Sequence, residues 1–327
     1  MNTKSMFKKV FRDKVIISFL IVIVLIIIGQ IVVPGFASFN HIMTILQTSF
    51  FLGMLSLGQA IVVISGKEGM DLSVGPMLTS GVITSSAIIM GKDSRFALAL
   101  VVVLALGFTL GLINGIGVSY LGIAPLIMTL AWGIVVEGAL LFMTEGLSYG
   151  KASPLLETLG GGSLKFNLGN YLLIIPWVII IWIIIIIIVL YIFKRTKVGR
   201  ILYGIGTNDR AAILLGIRTK QYRMFAYGFS GMFSAFAGML LLGYVTTPSL
   251  NLGSNFGLSS IAAIVIGGIS LAGGAGSYLG AVAGSIVLST LTSILVTLQV
   301  GESGQNIIFG SILVILLVIY ARKTRRT

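Results

Sequence analysis

Cysteine is absent from the 327 residues, histidine occurs once, and charged residues make up only 9% of the chain. The missing cysteine excludes a disulfide framework, a thiolate metal site and a cysteine nucleophile. A lone His41 excludes the two-histidine zinc motif and leaves a Ser-His-Asp arrangement almost without material. In its half-polar stretch FASFNHIMTILQ, His41 reads as an interfacial residue. No G-x-x-x-x-G-K-[ST] phosphate loop occurs: Gly66-Lys67, Gly91-Lys92 and Gly150-Lys151 are followed by Glu68, Asp93 and Ala152. The chain cannot be a P-loop ATPase, and no catalytic, cofactor or metal site is expected.

The shortage of charge also sets the class. With 57% hydrophobic residues, the chain lies well outside the roughly 45–50% apolar and 25% charged composition of soluble domains. An all-α integral membrane protein is expected. Residues 15–33, 171–193 and 305–320 form apolar runs near the ~20 residues that cross a hydrocarbon core. The first run is longer than the 7–15 residues of a secretory h-region and lacks a small-residue cleavage site, so it reads as an uncleaved span.

A net charge of +13 invites a nucleic-acid reading, but the cations are segregated. They cluster in the N-terminal tail (Lys4, Lys8, Lys9, Arg12, Lys14), in 194–223 and in the C-terminal tail (Arg322, Lys323, Arg325, Arg326). All three clusters border apolar runs, as the positive-inside rule expects of cytoplasmic segments facing anionic lipid. No nucleic-acid partner is expected. Parity then requires an even number of crossings between clusters. The runs divide into about ten spans: 15–33, 45–65, 72–91, 96–120, 124–144 and 171–193, then 224–245, 257–272, 276–298 and 305–321. Both termini fall in the cytoplasm and 146–170 outside.

An ion-coupled transporter usually buries an ionisable group in its path. Only Glu137 lies well inside an apolar run, where it faces a wet vestibule, contacts solute or couples an ion. Glu68 and Asp71 fall in a polar break between the second and third runs. The glycine-rich stretches 111–117 and 267–284 read first as close helix packing and otherwise as hinges or broken helices. The basic segment 194–223 interrupts this apolar chain with small residues and a short helical pattern, suited to docking on a cytoplasmic partner.

Seven motifs in order carry a resemblance over nearly the whole length. FNHIMTILQ precedes Gly58–Gly66 (G-x-x-x-V-I-x-x-G), then come D-L-S-V-G at 71–75, Asn114-Gly115 with Val118, and P-x-I-x-T-L at 125–130. The signature T-x-x-G-R-x-x-x-x-I-G-x-N-x-x-A-A-x-x-x-G-I runs from Thr196 to Ile217, and I-A-A-x-x-I-G-G-x-S-L-x-G-G-x-G-S occupies 261–277. The chain resembles the membrane permease of bacterial ATP-binding-cassette importers in the ribose/xylose/arabinose/galactose branch. It departs from that pattern at Lys67-Glu68, Glu137, Glu145, Gly257 and Ala275, which bears on the choice of sugar rather than on the class.

The resemblance implies a type II importer-like permease fold in a single transmembrane domain, 1–327, of the bacterial inner membrane. It implies separate cytoplasmic ATPase subunits, an extracytoplasmic solute-binding protein, and a second permease copy or paralogue. The solute implied is a monosaccharide, with a nucleoside or other sugar-like solute as the alternative and an ion-coupled secondary transporter as the rival class. ATPase coupling is assigned to Thr196, Gly199, Arg200, Gly206, Asn208, Asp209, Arg210, Ala211, Ala212, Gly216 and Ile217, with Ala211 and Ala212 expected to pack into an ATPase groove. Gln59, Asn114, Thr129, Trp132 and Glu137 are the candidates for the solute path, polar groups on otherwise apolar spans.

Overall fold

The computed structural model describes residues 14–66, 69–168, 171–301, 303–305, 307–312 and 314–315. Most of the two terminal cation clusters, Lys67, Glu68 and the end of the last apolar run lie outside the described residues. Helix α1 is Lys14–Val32, α2 Phe39–Ser65, α3 Val74–Ile89, α4 Phe96–Ser119 and α5 Pro125–Thr144. A short α6, Pro154–Gly160, leads into strands β1 (Ser163–Leu168) and β2 (Tyr171–Pro176). Then follow α7 (Trp177–Arg195), α8 (Lys197–Thr207), α9 (Asp209–Leu214), α10 (Thr219–Val245), α11 (Phe256–Ile266) and α12 (Tyr278–Thr297).

Among the described residues, seven of these helices are long and apolar enough to cross a membrane. The chain is a multi-pass all-α membrane protein, with one correction, to the start of the sixth run. Residues 163–176 form an antiparallel hairpin pairing Ser163 with Pro176, so the sixth span begins at Trp177 rather than 171. Pro176 supplies the break, being the residue that enters α7 without an amide to donate.

The second correction concerns the eighth run: α11 has only 11 residues, about 16 Å of helix at ~1.5 Å per residue, whereas α3, with 16 residues, nearly fills the third run. The eighth run, expected over 257–272, stops at Ile266 because Gly268, Gly273, Gly274 and Gly276 all take positive φ in the loop that follows. Residues 69–73 lead into α3 and 246–255 into α11 without regular structure. The first turn of α3 meets the second of these stretches: a Cβ on Gly75 would run into the carbonyl oxygen of Gly253, and the reverse also holds. Thr79 Oγ1 accepts from Gly253 N at 3.1 Å and closes the contact.

The core is built around α2 and α10. Gly107, Gly111 and Gly115 sit one turn apart on α4, and a Cβ on each would strike α10 backbone, at Gly231, Tyr227 and Met224. Close approach through small residues replaces the hydrophobic drive that lipid does not supply. The packing reading of 111–117 is the one this geometry bears out. On the far side, α12 packs on α1, α2 and α11, with Tyr278 buried and hydrogen-bonded by Trp182 Nε1 at 2.9 Å.

Candidate functional site: a braced surface segment and a buried polar knot

The segment 194–223 folds as two short helices between α7 and α10. Thr196 caps α8, its Oγ1 accepting from Gly199 N at 3.4 Å, and Asn208 caps α9, its Oδ1 accepting from Ala211 N at 3.0 Å. Gly199 lies against the Phe193 backbone, and Gly206 lies against the Ile64 carbonyl and Gly274. Gly216 takes φ +76° in the turn that leaves α9, where Ile217 N returns to Ala212 O at 3.1 Å. Most of the signature residues therefore shape the segment. Tyr203 anchors it by donating to Gly276 O at 2.7 Å, and burial raises its phenol above the ordinary value.

Its outward surface differs from the expected one. Ala212 is turned inward and buried, so it cannot face a partner, whereas Arg200, Arg210 and Ala211 are exposed. The apolar tip of the segment is Leu214 and Leu215, 87% and 79% exposed, beside Ile213 at 54%. Sequence reasoning missed these leucines because an ILL run in a chain rich in such runs carries no local signal.

Asp209 and Arg223 connect the segment to the interior. Arg223 Nη2 lies 2.9 Å from Asp209 Oδ1, close but not aligned as a hydrogen bond, while Arg223 Nε donates to Ser65 O at 3.3 Å. One and two turns further along α10, Tyr227 Oη donates to Met70 O at 3.3 Å and Ser230 Oγ to Asp71 Oδ2 at 2.8 Å. A single face of α10 thus holds Ser65, at the end of α2, and Met70 and Asp71 beyond it.

Asp71 is fully buried there. Its carboxylate accepts from Ser73 N at 3.1 Å, Ser73 Oγ, Ser230 Oγ and Asn114 Nδ2 at 3.3 Å. Gln59 Oε1 accepts from Asp71 N at 3.2 Å, and Asn114 Nδ2 also donates to Ser73 Oγ at 3.0 Å. Non-helical backbone at membrane depth must find partners inside the protein. Gln59, Asp71, Arg223 and Tyr227 supply them.

The five predicted path residues are not gathered on one open surface. Gln59 and Asn114 belong to the packed knot, and Thr129 is buried with an unpartnered hydroxyl. Trp132 donates to Leu110 O at 3.0 Å and edges a 410 Å³ cavity between α3, α4 and α5 whose lining is chiefly apolar. Glu137 is exposed on α5, so the carboxylate inside the protein is Asp71 and not Glu137. Asp71, in the polar break between the second and third runs, is buried within the protein.

With this architecture in view, the comparisons place the chain. Residues 41–319 match the family described as branched-chain amino acid transport system / permease component, and the chain belongs to that family of transport permeases. It is 32% identical to a probable ABC transporter permease protein, y4mJ, of Sinorhizobium fredii, over 99% of this chain and 94% of that one. It is 32% identical to the ribose import permease protein RbsC of Bacillus subtilis (94% and 92% covered) and 30% identical to the galactose/methyl galactoside import permease protein MglC of Escherichia coli (99% of each). No solved structure matches it. The chain is a permease subunit of an importer and not an enzyme.

Proposed function

We propose that this chain is the membrane subunit through which an ATP-binding-cassette importer moves a monosaccharide, driven by separate ATPase subunits and fed by an extracytoplasmic solute-binding protein. The carrying observation is the braced segment with its exposed Ile213-Leu214-Leu215 tip, a surface a soluble partner can cover, in a chain lacking a phosphate loop. The import of ribose and galactose by relatives matched over nine-tenths of their length supports a sugar over an amino acid.

Segment 194–223 is the cytoplasmic coupling element. Thr196, Gly199, Gly206, Asn208, Gly216 and Ile217 set its shape, Asp209 and Ala212 fasten it to the core, and Arg200, Arg210 and Ala211 flank the leucine tip that meets the ATPase. Both termini lie on the same, cytoplasmic side, as the distribution of Lys and Arg requires. Partner states that grip the segment differently bias the permease between its outward and inward arrangements; equal grip would shift nothing.

The test is uptake of labelled D-ribose and D-galactose into proteoliposomes holding this chain with the ATPase and binding-protein subunits of its importer. ATP-dependent uptake is expected. Uptake that ignores ATP and follows an ion gradient would overturn the reading.

A further inference from the structure

The second sizeable opening in the molecule lies at the opposite end from segment 194–223 and has a different chemistry from the apolar cavity beside Trp132. It is a cleft of 540 Å³ between the first turns of α2, the start of α11, the later turns of α12 and helical residues after 303. That volume falls within the range of small-molecule sites. A smaller cavity of 240 Å³ shares Leu52, Asn255, Ser259, Thr292 and Phe309 with it and carries the same cleft deeper toward α11. From Thr44 at its rim to Ser65 at the other end of α2 is about 30 Å of helix.

Eight of the thirteen described lining residues are Ser, Thr, Asn or Gln, and none is charged. In a protein of this hydropathy such a wall is not a by-product of composition. The direction of its hydrogen bonds is also fixed. Thr44 Oγ1 donates to Asn40 O at 3.1 Å, Thr48 Oγ1 to Ile45 O at 3.0 Å, Ser259 Oγ to Asn255 O at 2.7 Å and Thr292 Oγ1 to Leu288 O at 2.9 Å. Gln305 Nε2 donates to Val300 O at 2.9 Å, which leaves its carbonyl oxygen and one N–H. At the rim, Ser293 Oγ lies 3.0 Å from His41 Nε2. Thr44, Thr48, Ser259 and Thr292 have committed their protons to their own helices, so what these four offer the cleft is lone pairs.

We infer that this cleft is the entry wall for the solute and that it selects a neutral solute donating several hydroxyl hydrogen bonds. The inference rests on the import reading above. The lone pairs of Thr44, Thr48, Ser259 and Thr292 and the Gln305 carbonyl pair with sugar hydroxyls. Among the described lining residues no cation meets a carboxylate and no acid meets an ammonium group, so a zwitterionic amino acid finds no charged partner there. Phe256 and Phe309 supply the apolar faces on which the carbon-bound hydrogens of a pyranose or furanose lie.

The experiment compares the wild-type complex with a Thr48→Val, Ser259→Ala, Thr292→Val variant, which removes three acceptors with little change of volume. Thr109→Val on α4, losing a hydroxyl bonded to Ala105 O outside the cleft, is the control. Labelled D-ribose and D-galactose uptake is read alongside co-purification of the ATPase and binding protein. Uptake should fall at least about tenfold in the triple variant, given two- to tenfold per lost hydrogen bond, with the complex still recovered and the control at the wild-type rate. Wild-type uptake by the triple variant overturns the inference, as does loss of the complex together with uptake, which would make the hydroxyls part of the scaffold. Failure of the wild-type complex to import either sugar overturns the import reading itself, before the variants are compared.

Discussion

Arg223 stands between Asp209 and the Ser65 carbonyl, facing the first at 2.9 Å and donating to the second at 3.3 Å. One guanidinium therefore ties the base of α9 to the end of α2. Both side chains of the ion pair are 19% exposed, so solvent weakens it and the pair adds at most about 1 kcal/mol to folding. Its role is positional. Asp209→Asn should leave the yield of folded protein unchanged. Arg223→Gln should leave ATPase co-purification intact and cut ATP-driven uptake in proteoliposomes at least about tenfold. Uptake at the wild-type rate in Arg223→Gln would show that the link transmits nothing.

The leucine tip gives a separate expectation. Leu214→Asp with Leu215→Asp replaces 87% and 79% exposed side chains, so folding should change by less than about 0.5 kcal/mol, as for surface substitutions generally. The ATPase should no longer co-purify. Ala212→Trp should instead lower the yield of folded permease, because Ala212 is buried against its own chain and overfilling there costs about 1–3 kcal/mol. Equal recovery of the complex with both variants would remove the tip from the docking surface.

At Asp71 the consequence is structural. Asp71→Asn keeps the shape but turns one acceptor into a donor facing Ser73 N or Ser230 Oγ, which costs about 1–3 kcal/mol. Asp71→Ala removes every partner at once and should give no folded protein. Thermal unfolding in detergent reads the first, and monodisperse yield the second. A fully stable Asp71→Ala would mean residues 69–73 are held by something else.

Topology can be mapped without background, since the native chain has no cysteine. A cysteine at Lys151 should react with an impermeant maleimide from outside, and one at Arg210 only after permeabilisation. Labelling of the Lys151 site only from inside would invert the map.

Much of this was legible in the sequence because the membrane simplifies the code. Long apolar runs give α1, α2, α4, α5, α7, α10 and α12, and the ordered motifs give the family. The short eighth helix was not legible as such: α11 lies in a run whose hydropathy continues past Ile266 and through the glycines that end the helix. Polarity on an apolar span marked Gln59 and Asn114, and only folding ties them to Asp71 N and Ser73 Oγ. The hydroxyl wall escaped notice because its serines and threonines are spread over three helices, and only folding sets Thr48 opposite Thr292.

The contact of Gly75 with Gly253 has a consequence for motion. The first turn of α3 and the stretch before α11 touch main chain to main chain, with no side chain between them. No rotamer change can part them, as it can part a contact made of phenylalanines or leucines. Any motion that separates α3 from α11 here has to move backbone, so the two helices shift as rigid pieces or not at all.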